Sequence, residues 1–497
     1  MLTLGIDIGT FESKGVLVDR EGRVVAQAAV PHRMEVPRPG WAEHDAETVW
    51  WGDTVAICQR LLAESGVDPA AIGAVAVSAI GPCLLPVDAE GRALRKGILY
   101  GVDTRASAEI DELNRQIGEA TILSRCGNAL TSQAVGPKIL WLRRNAPDLW
   151  EKTAGLMTST TWITYRLTGE SVIDHYTAAN FAPLYDIARQ DWCDDLAPGL
   201  CPDGMLPRLA WSTEIAGHVT AAAARETGLA EGTPVTVGTI DAAAEAVSVG
   251  VRAPGDMMLM YGSTIFVILV ADRLLDDPRL WHAPWLFPGQ SAAMAGLATS
   301  GTLTHWFRDT FAREVPKDEA FAVLAAEADT VPPGARGLIV LPHFSGERTP
   351  LHDPLAKGAV FGLNLTHGRA EIYRAVLEGI ACATRAITDT YAEAGQRPLN
   401  TRAVGGGTKN ALWLQATSDL TGLDQTVCRV STGASYGDAF LAAVAIGAAE
   451  PADIARWNPA DRIVPARPSE AYERLYDRYR RLYAQTKDIA HDLGDGA

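Results

Sequence analysis

Apolar positions along the chain come in short runs cut by glycine, threonine, serine and aspartate. "LTLGIDIGTFESKGVLVD" (Leu2–Asp19) is two such runs joined at a Gly-Thr turn, and "REGR" (Arg20–Arg23) leads into a third, "VVAQAAV". Strand, tight turn, strand, tight turn, strand is the pattern of an antiparallel meander. "MMLMYGSTIFVILVA" (Met257–Ala271) repeats the device about 250 residues later, as two buried strands around Gly-Ser-Thr. "AVAVSAIGPCLLPVDAEGR" (Ala74–Arg92) is of the same kind. "RGLIVLPHFSGERTP" supplies a strand and a loop, and "TRAVGGGTKNALWLQATSDLTG" (Thr401–Gly422) a strand, a triple-glycine turn and a helix. Spacings of three and four in "RAEIYRAVLEGIACATRAITDTYAEAG" (Arg369–Gly395) predict a long helix. Two similar meanders in two halves imply a duplicated α/β architecture, with two domains, 1–250 and 251–497, around a cleft. "GVRAPGD" is the turn at the boundary.

Composition narrows the partners. The 497 residues are 47% apolar and 21% charged, with a net charge of −16, so a phosphate backbone is repelled and nucleic acid is not expected. A small anion such as ATP stays allowed, because backbone N–H groups and Mg²⁺ can make positive potential locally. No basic segment opens the chain, and no apolar run is long enough to span a bilayer, so neither a signal peptide nor a membrane is expected. Seven scattered cysteines without a C-x-x-C pair predict a reduced, cytoplasmic chain, and ten histidines without an H-x-x-x-H pair argue against protein-held zinc.

Three turns could hold phosphate. In "DIGTFESK", Gly9 permits close approach, Thr10 and Ser13 offer hydroxyls, Lys14 a charge, and Asp7 could hold Mg²⁺ through water. An ordinary hairpin would look the same. "YGST" offers Gly262, Ser263 and Thr264. "GGGTKN" (Gly405–Asn410) is the strongest of the three, since three successive glycines cost needless backbone entropy unless something lies against them. Other motifs fail. Asn410 stands where the dinucleotide fingerprint needs glycine, and the P-loop pattern is absent. "GASYG" (Gly433–Gly437) fits a hydrolase nucleophile elbow, but the only later histidine is His491. "VGTIDAAAEAVSVG" places one acid, Asp241, at a helix start, where aspartate commonly caps.

Taken in order, these segments resemble the FGGY family of carbohydrate kinases over nearly the whole chain, most like its xylulokinase branch. "DIGTFESK" is similar to the first phosphate loop, "YGST" to the second, "GTIDA" to the G-x-x-D-A element, and "SGERTPLHDPLAKGAVFGLNLTHGRAEIYRAVLEGIA" (Ser345–Ala381) to the signature region. "GGGTKNALWLQATSDLTG" resembles the adenosine motif and "YGDAFLAA" the small-residue helix linking the domains. "GNALTSQAVGPKILWL" and "TWITYRLTGESVIDHYTAA" resemble two further family segments.

The resemblance implies a duplicated ribonuclease-H-like fold, shared with actin, hexokinase and Hsp70. It also implies an ATP-dependent kinase acting on a small sugar. By it, Asp241 is the general base at an ordinary pKa near ~3.9, and Mg²⁺ sits near Asp7 and Asp241. Thr10, Ser13, Lys14, Gly262, Ser263, Thr264, Gly301, His305, Gly406, Gly407 and Asn410 face the nucleotide. Gly81, Pro82 and Asp103 line the sugar.

The sugar wall departs from the xylulokinase pattern. Ile80, Gly81, Pro82 and Cys83 replace Q-M-H-G, and "YGVDTR" (Tyr100–Arg105) stands for W-x-D-x-R. D-xylulose, giving D-xylulose 5-phosphate, ranks first. Ribulose, gluconate, glycerol, erythritol and other polyols stay open, as does a non-catalytic nucleotide-binding sensor. Family members are often homodimers, although no segment here announces an interface.

Overall fold

The N-terminal alternation becomes an antiparallel meander in the computed structural model, which describes residues 1–493. Strands β1 (Leu2–Ile8), β2 (Glu12–Asp19) and β3 (Val24–Pro31) pair in sequence, with Ile8 opposite Ser13 across the first turn. Outer strand β3 alternates half-buried and exposed positions, whereas β1 is mostly buried on both faces because helices cover the sheet centre from both sides. On one side lies α1 (Gly52–Ser65), whose Ile57 sits so close to Gly15 that a Cβ there would come within 2.2 Å.

β4 (Ile72–Ala79) joins β1 in parallel and places Ser78 beside Asp7. After α2 (Ser159–Thr168), strands β5 (Ile215–His218) and β6 (Pro234–Thr236) extend the sheet, and the short β7 (Thr239–Ile240) runs along the end of β4. The order is β5-β6-β4-β1-β2-β3. Helix α3 (Asp241–Ser248) leaves β7 directly.

The second half starts with β8 (Asp256–Tyr261) and β9 (Ile265–Ala271), the two buried strands expected around "GST". β10 (Trp281–Pro284) and β11 (Ser291–Leu297) follow, then α4 (Gly301–Phe311), α5 (Ala320–Asp329) and the long α6 (Arg369–Glu393). β12 (Asn400–Val404), α7 (Ala411–Thr421), β13 (Gln425–Cys428), α8 (Ala434–Ala445), β14 (Ala460–Val464) and α9 (Glu470–Asp492) complete it. This sheet runs β10-β11-β9-β8-β12-β13-β14. Both sheets share one core. A three-stranded antiparallel meander (β3-β2-β1 and β11-β9-β8) is extended from its first strand by two parallel strands (β4-β6 and β12-β13), with an antiparallel strand (β5 and β14) at the far edge. That is the duplicated ribonuclease-H-like order.

One helix crosses back. α8 belongs to the second half of the sequence but packs on the first sheet, against β1 and α3. Two glycines permit it: a Cβ on Gly5 would lie 1.9 Å from the Ser435 carbonyl oxygen, and one on Gly437 would lie 1.9 Å from that of Ala244. The Tyr436 hydroxyl donates to the carbonyls of Gly22 and Trp457, tying the segment to the meander. The seven cysteines are buried and unpaired, and among the described residues no helix is long and apolar enough to cross a membrane.

Candidate active site

Parallel pairing of β1, β4 and β7 brings three chain-distant residues into a row. Asp7 pairs with Ser78 and Ser78 with Thr239, at the C-terminal ends of their strands. That end of a parallel sheet is where α/β folds hold ligands. Asp241 follows two residues later, in the first turn of α3. It is not the cap of that helix: Ile240 holds the cap position, and the Asp241 Oδ1 accepts only the adjacent Ala242 N–H at 2.7 Å. The carboxylate therefore keeps an oxygen free for other work. Thr239 beneath it is fixed by a 2.8 Å hydrogen bond to Asp174, itself buried and pushed up to about 6 by desolvation.

Burial changes the acid chemistry expected from the sequence. Asp241 is pushed up to about 6, not near its ordinary value, because its ionised form is desolvated and only one N–H compensates. Asp7 is raised strongly, first by desolvation and then by the charges of Asp241 and Glu245, with Lys14 opposing. Glu245, one helical turn beyond Asp241, is pushed up to about 7 by desolvation. Asp438 on α8 is raised strongly by desolvation, although its Oδ2 accepts from the Ser78 hydroxyl at 2.6 Å and the Ser78 N–H at 3.2 Å. Its Oδ1 is buried without a partner.

Glu245 and Asp438 escaped the motif reading, although each had a signal. Glu245 shares the Asp241 face at i+4, and Asp438 is the one acid in the buried "ASYGDAFLAA" helix, where an acid is costly without a purpose.

Four desolvated carboxylates with one nearby ammonium form a site that favours a cation. Among the described residues no three acidic, histidine or cysteine side chains converge tightly enough to cage an ion. Mg²⁺ keeps much of its water, so an ion here would be held by these carboxylates through water rather than by direct ligation.

The first turn places Thr10 and Lys14 on the cleft side and Ser13 on the other. Side chains alternate along β2, so Ser13 is buried and donates to Asp53 at 2.7 Å. The expectation that Ser13 faces phosphate is corrected accordingly. Thr10 Oγ1 lies 3.4 Å from the Tyr100 hydroxyl. Asp103 is corrected for a similar reason. Its side chain is 0% exposed, accepts the Ala42 N–H at 2.7 Å and is gripped by Arg105, which stacks over Trp41 at 4.0 Å. It builds the wall from behind and offers no oxygen to a sugar.

Gly81 and Pro82 form a cis-peptide turn that packs on Ile240, next to Asp241. The Cys83 thiol points back to the Ile80 carbonyl at 3.3 Å and Pro82 has no N–H, so neither side chain supplies a donor like the missing histidine. Lys138, buried and lowered to about 8 by desolvation, clamps the Leu99 and Tyr100 carbonyls at 2.8 and 3.3 Å.

In the second half, a pocket of about 1070 Å³ gathers Gly262, Ser263, Gly301, His305, Gly406, Gly407 and Asn410 on one surface. Gly301 lies against the loop so closely that a Cβ would stand 2.3 Å from the Gly262 carbonyl oxygen, and Gly405 adopts φ 90° beneath Tyr261. Asn410 caps α7, accepting the Trp413 N–H at 3.1 Å. Thr264 is part of the same turn but outside the pocket wall. The far wall was not read from sequence. Phe321, Ala322, Ala325 and Ala326 on α5 present one small-residue face with a single aromatic ring, matched by spacings of three and four in "AFAVLAAEAD". A flat base fits between that face and the glycine turn.

The models of the FGGY family of carbohydrate kinases match most of the chain, the N-terminal domain over residues 2–248 and the C-terminal domain over 257–446. A xylulose kinase of Escherichia coli (strain K12) is 31% identical over 504 aligned positions, covering 97% of this chain and 98% of that protein. A glycerol kinase of Nocardia farcinica is 30% identical, covering 89% of each. The crystal structure of xylulose kinase from Rhodospirillum rubrum superposes with a TM-score of 0.93 at 31% identity, covering 99% of this chain and all of that one.

Proposed function

The chain belongs to the FGGY family of carbohydrate kinases, and from that premise we propose that it transfers the γ-phosphoryl group of ATP to D-xylulose, giving D-xylulose 5-phosphate and ADP. The observation that carries the reading is Asp241. It stands at the end of the first sheet, desolvated, with one oxygen free, beside Asp7 and the Gly81–Pro82 turn.

With a pKa of about 6, Asp241 is ionised at neutral pH and still basic enough to take a proton. The acceptor hydroxyl gives its proton to Asp241 as its oxygen bonds to the γ-phosphorus. The bond from that phosphorus to the β,γ-bridging oxygen breaks, and ADP leaves with the electron pair. Because the transition state is loose, positioning and electrostatics carry the catalysis. Adenosine binds between α5 and the Gly405–Asn410 turn, while Gly262 and Ser263 meet the phosphates. Asp7 and Asp241 would hold Mg²⁺ through water, and the ion would offset phosphate charge. Thr10 and Lys14 complete the phosphate side, and the seven unpaired cysteines suit a cytoplasmic setting.

A second acceptor stays in view because of the Gly81–Pro82–Cys83 turn, which has no side-chain donor. The relatives include a glycerol kinase, and glycerol, the smallest of these acceptors, needs fewer contacts on that wall.

The test is ADP release from ATP and Mg²⁺ over a panel of D-xylulose, ribulose, gluconate, glycerol and erythritol. One acceptor, D-xylulose, should stand out, and Asp241→Asn should lose turnover while still binding ATP. Release with no acceptor in the panel, or near-normal turnover in the variant, would overturn the reading.

A further inference from the structure

Gly9 and Thr10 form the bend of the first phosphate turn, and a histidine takes each of their carbonyls. His32 directly follows β3, and strand pairing brings it to the turn, where its backbone N–H donates to the Phe11 carbonyl at 2.9 Å. Its Nε2 lies 3.1 Å from the Gly9 carbonyl oxygen. His44, in the short strand Glu43–His44, meets the Thr10 carbonyl through Nε2, also at 3.1 Å. The two rings meet edge to face, 5.1 Å apart.

Each ring is set from behind. His44 is fully buried, and the Trp50 indole N–H donates to its Nδ1 at 3.3 Å. Nδ1 is therefore the acceptor, and Nε2 carries the proton that the Thr10 carbonyl receives. The pKa of His44 is lowered to about 4, first by burial and then by the His32 charge, so this ring is neutral. His32 Nδ1 lies 2.8 Å from the Asp53 carboxylate in the first turn of α1. Both partners of His32 are acceptors, so both of its nitrogens are set to donate. Ser13, which strand alternation turns away from the cleft, donates to the same Asp53 oxygen at 2.7 Å. The His32 and Asp53 side chains are 7% and 9% exposed, so water competes little for this pair.

Planarity turns these contacts into direction. The Gly9 carbonyl and the Thr10 N–H belong to one trans peptide and point opposite ways, as do the Thr10 carbonyl and the Phe11 N–H. Holding both carbonyls on the histidine side aims two successive N–H groups at the other. Among the described residues neither N–H has an acceptor. Successive unpaired N–H groups of this kind make a cradle for an anion.

We propose that His32 and His44 are positioning residues of the reaction: they hold the first turn so that the Thr10 and Phe11 N–H groups bind oxygens of the phosphoryl group in transfer, while Asp53, Ser13 and Trp50 fix the two rings. The proposal rests on the kinase reading.

The experiment uses the full-length protein and the acceptor that the wild type phosphorylates. His32→Phe and His44→Phe keep a flat ring without a donor, and each should lower kcat about 30-fold or more. His32→Gln and His44→Gln restore an N–H donor and should stay within about fivefold of wild type. ADP affinity should change less than about twofold in all four, while the tightening of ADP by aluminium fluoride with acceptor present should be lost in the Phe variants. A general loosening of the fold would not separate ADP from its fluoride complex in this way. Phe variants within about threefold of wild type in kcat overturn the proposal, as do Gln variants no better than Phe. The wild type supplies a second arm, which stands even where a Phe variant fails to fold. Amide exchange at Thr10 and Phe11, followed by NMR, should slow at least about fivefold when ADP, aluminium fluoride and acceptor bind, and unchanged exchange at both overturns the proposal. If the wild type phosphorylates nothing, the kinase reading itself fails. If it turns over and these arms fail, only the positioning role is lost.

Discussion

Asp241→Asn should stabilise the protein while abolishing its activity. A carboxyl that stands at about 6 when folded and 3.8 when unfolded binds its proton more tightly in the folded state. Below pH 3.8 both states are protonated and there is no penalty. As pH rises from 3.8 to 6 the unfolded chain ionises first, so stability is lost across that window and the penalty is complete above it. At about 1.36 kcal/mol for each tenfold change in protonation, the full penalty is on the order of 3 kcal/mol.

The amide removes it, and also relieves Asp7, which the Asp241 charge helps to raise. With an unfolding entropy of roughly 2.1 cal/mol/K per residue, Tm at pH 7.5 should rise by about 3 °C if all 497 residues melt together, and about 6 °C if the first half melts alone. The assay is thermal unfolding without nucleotide and with EDTA, so that no ion masks the charge. At pH 5 about half the gain should remain. A Tm unchanged or lowered at pH 7.5, or a gain equal at both pH values, would refute the argument that burial of an ionised carboxylate is what raises this group. In the wild type the same carboxyl should set an acid limb of kcat/KM near pH 6, with activity falling below it.

Two glycines separate steric roles. A side chain on Gly406 meets nothing within 4 Å in the protein but enters the pocket, so Gly406→Val should leave Tm within about 1 °C and raise KM for ATP at least tenfold, measured by ADP release at saturating acceptor. Gly437→Ala places its methyl 1.9 Å from the Ala244 carbonyl oxygen, between two helices that cannot part cheaply. It should cost about 1–3 kcal/mol or more in urea unfolding, and a midpoint unchanged from wild type would contradict that packing.

The sequence alone determined what local chemistry encodes. Alternating apolar positions and Gly-Thr or Gly-Ser turns wrote the two meanders, and the triple glycine wrote a ligand-facing surface, since backbone conformation and close approach depend on a few adjacent residues. The motif order carried the family and the identity of Asp241 as the acid to watch. Tertiary structure decided whatever depended on partners far along the chain. Ser13 and Asp103 looked available as residue types, yet strand alternation turned Ser13 onto Asp53 and the Arg105–Trp41 stack enclosed Asp103. Asp438 entered the cleft only because Gly5 and Gly437 let α8 return to the first sheet. The raised pKa of Asp241 has the same origin. A motif names a carboxyl, but its proton affinity is set by the water that packing removes and by the other charges that packing brings near.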